Sequence, residues 1–496
     1  MLELNKQQTL SFHSELYNFI PQDHLLIGIH QLIDFSFILE FVQEQYNLFY
    51  GRRAKDPEML FRLIFIQKLY NLSDERVIEE TKVNLAYKWF IGLNPEDPLP
   101  DSSLLSIFRV HKIGAGEVEN LLTEVVKQCV EKGLVKSSAI LVDATHSYSK
   151  YEASKPLQVL KQAANRLQRA VKKHNSKLLK QLPKMPEFEG ETGDKEKQAL
   201  AYLADLGDTV EQLLPDAEGS LRSRLEETKK IVSDERLLAW KGVQSAIDPD
   251  ARFGWKSATT SFFGYKESIA MTEDGIITAM KVEPGNASDP KAFPDLIKQT
   301  AETGLVVDEV LADKAYGSFT NLKLLAKENI IPTIRLNEMM LYGHQDEQRE
   351  KFVYHKDSES VECPRGHHSI RKAKMGRKNG NECQRLTFFF DVDKCKACPL
   401  QKGCYKPGSD SKTYSVPIVP DFKQKAVEYH ESESFKLRYR MRYKIEQKNH
   451  ELKNHHGLAI SQYSRGLLGM RIQAVLTAIA VNAKRMVKLA NPKVAR

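Results

Sequence analysis

Apolar positions along the chain change their period several times, and each change predicts a different kind of element. From Leu32 to about Cys129 they recur at helical spacing in short segments, with Asp56 and Pro57 opening one predicted helix, Ser73 and Asp74 a second, and Pro100, Asp101 and Ser102 a third. At Ser138 the period is lost: AILVDATHS is a short apolar run that stops on Asp143, the pattern of a buried strand delivering an acid at its edge. Three-four spacing returns at Leu157, Leu160, Ala164, Leu167, Val171 and Leu178. A polar break with Pro183, Pro186 and EGETGDKEK separates this stretch from a second, running from about Gln198 to Trp240. The pair predicts a helical hairpin inserted into another domain.

Strand character resumes after Ser245. Phe262 to Met271 and Ile276 to Val282 predict a hairpin across Thr272-Glu273-Asp274-Gly275, followed by a helix starting near Pro290. A strand over Val306 to Leu311 leads onto Asp313 in VLADKAYGS, and a helix over Phe319 to Glu328 and a strand over Ile330 to Leu336 follow. This order predicts a mixed α/β sheet with Asp143 and Asp313 both at strand ends. Leu467 to Leu489 reads as a closing helix packed on that sheet, and the apolar run from Gly466 to Val481, broken by Arg471 and Gln473, is not expected to span a bilayer.

Composition narrows the class. A chain of 496 residues with 41% apolar content can bury the cores of two to four domains, and a net charge of +8 favours an acidic partner such as nucleic acid. Arg52, Arg53, Arg62 and Arg109 among the short N-terminal helices suit a helix-turn-helix-like reader of duplex DNA, the plainer alternative being an ordinary helical bundle. The opening MLELNKQQTLSFHSEL has no basic segment leading into an apolar run, so a cytoplasmic, nucleoid-associated protein without membrane contact is expected. Of six cysteines, Cys129 is expected on the apolar side of a helix and five lie between Cys363 and Cys404, which points to metal rather than to a disulfide scaffold. Cys395, Cys398 and Cys404 are candidate structural zinc ligands; the fourth comes from Cys363, His367, His368 or Cys383, with Cys363 favoured because Pro-x-Gly follows it.

The chemistry centres on YRMRYKIEQKNHELK, Tyr439 to Lys453. On one continuous helix Tyr439, Arg442, Glu446 and Lys453 fall within an arc of roughly 60°. A lone acid between two cations and a phenol suits a polyanion held beside a metal, whereas the plainer reading is a solvated basic helix in which Glu446 pairs with Arg442. Asp143 and Asp313 supply the further hard carboxylates that a pair of Mg²⁺ ions, or Mn²⁺, would need for phosphodiester cleavage.

With those motifs in place, the chain resembles a bacterial insertion-sequence transposase of the DDE type. The resemblance rests on ILVDATH, VLADKAYGS and the Y-x2-R-x3-E-x6-K signature, matched here by Tyr439, Arg442, Glu446 and Lys453. It implies an RNase-H-like catalytic core in which Asp143, Asp313 and Glu446 bind two Mg²⁺ and Tyr439, Arg442 and Lys453 position the DNA. It also implies the Cys-bearing insertion ahead of the Glu helix, nicking at element ends to free 3′-hydroxyls, their joining to target DNA, and a homodimer in the DNA complex. Ala315 departs from the Gly that such proteins often carry after D-[KR]. The expected organisation is a helical DNA-binding domain (1–132), a core from 133–150 and 241–336, a helical insertion (151–240), a Cys-rich insertion (337–425) and C-terminal helices (426–496). Three alternatives remain: a metal-independent tyrosine recombinase using Tyr439, aided by Arg442, Lys453, His455 and His456; a non-cutting, zinc-stabilised DNA-binding protein; and a general nuclease that shares the same site without joining strands.

Overall fold

The computed structural model describes residues 11–47, 53–257, 259–337, 352–355, 357–375, 385–417, 420–462 and 466–491. In chain order the elements are α1 (Leu25–Leu32), α2 (Phe37–Val42), α3 (Pro57–Leu69), α4 (Asp74–Val83), α5 (Leu85–Phe90), α6 (Ser103–His111) and α7 (Glu119–Glu131), then β1 (Ala139–Tyr148). Next come α8 (Pro156–His174), α9 (Thr192–Leu213), α10 (Gly219–Val232), β2 (Arg252–Trp255), β3 (Ser261–Thr272), β4 (Ile277–Pro284) and α11 (Asp289–Glu302). β5 (Glu309–Ala312), α12 (Phe319–Lys327) and β6 (Ile331–Ile334) precede β7 (Val353–His355), β8 (Ser360–Glu362), β9 (Arg371–Met375), β10 (Arg385–Phe390), α13 (Val392–Lys396) and β11 (Lys412–Pro417). The chain closes with α14 (Asp421–Glu431), α15 (Glu433–Tyr439), α16 (Tyr443–Asn454) and α17 (Gly466–Ala490).

These elements form two compact units, residues 1–307 with 442–496 and residues 308–441. Antiparallel pairing in the first and a parallel strand pair in the second make the chain mixed α/β.

In the first unit β3 is the central strand. β1 pairs along one edge of it, and β4 and β2 follow end to end along the other. Gly264 lies where β1, β2 and β3 meet: a Cβ there would stand 2.0 Å from the carbonyl oxygen of Ser147, so only glycine lets the strands approach this closely. The β3–β4 hairpin turns at Gly275, whose φ of +89° lies in the left-handed region. The N-terminal helices begin where their caps place them, with Asp56 accepting from the Glu58 amide and Ser73 from the Arg76 amide.

The closing helix α17 packs on α1, α3, α7 and β4, and its Asn482 side chain exchanges two 2.8 Å hydrogen bonds with the backbone of Ile277, standing in for a neighbouring strand. At 25 residues it has the length and apolarity of a membrane-crossing helix, which a core helix can also have, and 83% of its apolar window is buried inside the protein.

The inserted segment is three helices, not a hairpin. Pro215 and Asp216 follow directly on α9, so the predicted second helix divides into α9 and α10, and both pack on α8. Val159, Leu160, Ala164, Leu167, Leu203, Leu206, Leu221 and Leu225 give this subdomain its own core.

In the second unit β5 and β6 pair in parallel, and Leu322, Leu336 and Ala426 pack α12 and α14 together beside them. Glu309, at the start of β5, accepts from the Thr333 hydroxyl at 2.5 Å and from the Arg438 guanidinium at 2.5 and 2.8 Å, tying α15 to the strand pair. The described residues between 352 and 417 build the hairpin β7–β8 and the three-stranded sheet β9–β10–β11 around Val361, Phe388 and Phe390.

Candidate active site

Asp143 is on β1 as expected, but in the middle of the strand and not at its end, opposite Ile269 of β3. The strand continues to Tyr148 because Thr145 and Ser147, although polar, are buried and keep the ladder with β3. Both carboxylate oxygens of Asp143 are engaged from the C-terminal part of the chain. Oδ2 accepts from Asn449 Nδ2 at 3.0 Å, and Oδ1 lies 3.5 Å from Nη2 of Arg442. The other amide atom of Asn449, Oδ1, is buried with no hydrogen-bond partner among the described residues.

Tyr439, Arg442, Glu446 and Lys453 do not ride on one unbroken helix. Tyr439 ends α15, Arg440–Arg442 form a tight three-residue helical turn, and α16 begins at Tyr443, so a uniform helical wheel holds only for Glu446 and Lys453. Tyr439 belongs to the second unit, where its ring stacks on Phe435 with centroids 5.4 Å apart. Arg442 immediately precedes α16 in the first unit, and Glu446 is exposed in that helix's first turn, where the positive end of the helix dipole favours a carboxylate. Asp313 follows β5 directly in the second unit, and its Oδ1 accepts from the Ala315 amide at 2.7 Å. That bond uses the backbone, so alanine in place of the usual glycine leaves it intact.

Three residues that the sequence reading missed stand near Asp143 and Lys453 in the first unit. Glu267, opposite Thr145 on β3, is fully buried, and neither carboxylate oxygen has a hydrogen-bond partner among the described residues. The neighbouring Ser147 hydroxyl donates to the Leu458 carbonyl. Burial raises the Glu267 carboxyl to about 8, against smaller opposing effects of Ser147 and Lys453. His146 Nδ1 lies 3.5 Å from Lys453 Nζ; burial, then Lys453, Lys256 and Lys266, lowers this imidazole to about 4, so it is neutral near pH 7. Burial also lowers the Lys453 ammonium. Asn449 was within reach of sequence reasoning, since it stands three residues after Glu446 on the same helix. An acid amid the apolar strand SFFGYKESIAMT was the only sign of Glu267.

The site therefore offers hard oxygen donors (Asp143, Glu446 and the unpartnered Asn449 carbonyl) beside a guanidinium suited to phosphate. This donor set fits Mg²⁺ or Mn²⁺ in kind, although among the described residues no three His, Cys, Asp or Glu side chains are gathered closely enough to hold a metal.

The same holds for the cysteines. Cys363, Cys395, Cys398 and Cys404 are free thiols lining one cavity of about 330 Å³ with His367 and His368, but they are not drawn into a ligand cluster. Burial raises the Cys395 thiol first, and the nearby Cys404, Cys363 and Cys398 add to it. Cys383 lies outside the described residues, as does Arg52. Cys129 is buried in α7, and its thiol is pushed up to about 12.

Two of the expected DNA-reading arginines serve the fold instead. Arg109 is buried and bonded to Gln67 and Asp74, and Arg62 pairs with Glu58, donates to the Phe90 carbonyl and lies over the Phe35 and Phe90 rings. Arg53 is exposed.

A strand-borne carboxylate, a helix-borne carboxylate and an adjoining arginine are groups whose chemistry suits a phosphodiester. The sequence model described as "Transposase DDE domain" matches residues 226–483, and that described as "Transposase domain (DUF772)" matches residues 14–111. The first covers just over half of the chain, and the chain belongs to the DDE transposases of insertion sequences. It is thus an enzyme of DNA cleavage and strand transfer, and its family implies the RNase-H-like fold. Membership sets aside the tyrosine-recombinase alternative. The matched segment begins within α10 and so leaves out Asp143, which the inserted helices separate from the rest of the core. A search of curated proteins found no match.

Proposed function

We propose that Asp143, Asp313 and Glu446 are the three catalytic carboxylates of a transposase that binds the ends of its element, opens phosphodiesters with two divalent ions, and joins the freed 3′-hydroxyls to target DNA. The observation that carries this is the hydrogen bond between Asp143 and Asn449, which brings the β1 acid against the helix of Glu446 across 306 residues of chain. Asp313 is assigned by its place directly after β5 and by its capping of the following turn.

Asp143, Asp313 and Glu446 would hold Mg²⁺ or Mn²⁺, which supply charge relief at phosphorus and an activated attacking oxygen. Arg442, 3.5 Å from Asp143, would offer its fork to a non-bridging phosphate oxygen beside that carboxylate. Asn449 holds the Asp143 carboxylate in orientation, and Lys453 offers a point charge to the DNA backbone. Tyr439 contributes a ring for stacking on the DNA. The helical region 14–111 binds the element ends, with Arg53 exposed on it, and two copies act on paired ends.

Asp143→Asn should abolish cutting of an end-bearing duplex while leaving its binding unchanged, and EDTA should do the same to the native enzyme. Cutting that survives either treatment removes Asp143, or the metals, from the mechanism.

The cysteines are read as a structural zinc site. Soft thiolates lining one cavity suit that ion, and the turn after Cys363 has the knuckle form: the Cys363 amide donates to His367, the Gly366 amide donates back to Cys363, and Gly366 has φ +79°. Purified protein should carry one zinc per chain, lost in Cys395→Ser; a metal-free native protein would refute the assignment.

A further inference from the structure

The helix that carries Glu446 has a second charged side. Relative to Glu446, Lys444, Gln447, Lys448 and Glu451 project about 100 to 200° around α16. They line a cavity of about 340 Å³ closed by the β3–β4 turn and by Lys484, Arg485 and Lys488 of α17. Five cations thus face two lining carboxylates, Glu273 and Glu451.

Glu451 is fully engaged, 2.8 Å from Lys448 and 3.2 Å from Lys484, and Lys484 also lies 3.2 Å from His456. Among the described residues Lys444 and Arg485 donate to neutral acceptors, the backbone carbonyls of Glu273 and Asp274. The Asp274 carboxylate is turned away onto the amides of Lys136 and Ser137, each at 2.8 Å. Lys488 is exposed at the rim. The cavity therefore has a cationic excess, with three cations not spent on an internal carboxylate in these bonds.

We propose that this cavity is a second DNA contact, binding the phosphodiester backbone of a duplex segment other than the one whose bond is opened at Glu446. The inference rests on the reading of the chain as a DNA transposase. The chemistry is that of backbone recognition: point charges and a guanidinium, with no aromatic platform for unstacked bases apart from the half-exposed Tyr443. Two segments are assigned by the packing of α16. A free helix about 10–12 Å across can lie in a major groove and meet both walls of one duplex. α16 is not free: it packs on β1 and α17 with Ile445 and Leu452 buried, so Glu446 and the cavity open on separate sides of a packed element. A transposase handles an element end and a target together, and a cavity that meets only the backbone suits a segment of no fixed sequence.

The test uses the full-length protein and a short random-sequence duplex, measured by fluorescence anisotropy over a range of salt, with the protein first saturated by unlabelled end-bearing duplex. In the triple variant Lys444→Gln, Arg485→Gln, Lys488→Gln, the slope of log Kobs against log salt should become shallower by about 2 to 3, at about 0.9 per lost phosphate contact. Single-turnover cutting of the end duplex should be unchanged, and circular dichroism should report the native fold.

An unchanged slope overturns the proposal. So does an equal loss in random-duplex binding and end cutting, which would mean a single continuous DNA surface. Thermal protection of the native protein by inorganic phosphate, with duplex binding untouched by the triple variant, would make the cavity a small-anion site and also overturn it. If instead the slope becomes shallower while the native enzyme cuts no end duplex, the second contact stands and the catalytic reading fails.

Discussion

Replacing Glu267 by glutamine should change the pH dependence of folding in a predictable sense. In the folded protein this carboxyl is fully buried on β3 and titrates near 8, against an ordinary value of 4.5, because burial disfavours its charged form. A carboxyl whose pKa is raised by folding is bound to its proton in the native state while the unfolded chain has already released it. Stability is therefore fully present below 4.5 and is lost as pH rises towards 8. The slope in that window is about 1.4 kcal/mol per pH unit, which accumulates to about 4 kcal/mol between roughly pH 5 and pH 9.

Glutamine keeps the shape and cannot ionise, so Glu267→Gln should gain on the native protein by about that amount over the interval. Urea unfolding of both proteins at several pH values measures the difference, and contributions from histidines and other acids cancel in the comparison. Two stability curves that stay parallel from acid to alkaline pH would show that Glu267 is ionised and partnered in the folded state, and would refute the argument from burial.

Three further outcomes follow from the packing. Asn449→Ala removes the amide that orients Asp143 and should lower the cutting rate by about 2 kcal/mol, or roughly thirtyfold, with end affinity unchanged in a binding assay. Arg109→Met strips the guanidinium from Asp74 and Gln67 and should destabilise the N-terminal helices by about 3 kcal/mol in denaturant titration, with no change in the salt slope of DNA binding. Gly264→Ala drives a Cβ onto the Ser147 carbonyl where three strands meet and should cost more than about 3 kcal/mol, read as a lowered melting temperature or insoluble protein.

Much of the secondary structure could be read directly, because its causes are local. Asp56 with Pro57, Ser73 with Asp74 and the 272–275 turn act within a few residues, and their elements begin where expected. Elsewhere local evidence misled. The helical period from Tyr439 to Lys453 was uninterrupted by glycine or proline, yet the backbone tightens at Arg440–Arg442, and the strand through Asp143 runs on because β3 pairs with it. Arginines that look alike in sequence divide by burial: Arg109 is enclosed with Asp74 and Gln67, while Arg53 faces solvent.

By itself the sequence determined the order of β1, β3, β4, α11, β5, α12 and β6, the acids and bases available for chemistry, and the spacing of Glu446 and Lys453 along α16, since these depend on period, capping and residue type. Only the tertiary structure decided that Asn449 meets Asp143, that Glu267 is sealed without a hydrogen-bond partner among the described residues, and that Lys444, Arg485 and Lys488 line one cavity. Such meetings are set by how β3, α16 and α17 pack across long stretches of chain. Packing depends on the summed burial of many side chains, and no single local pattern records it.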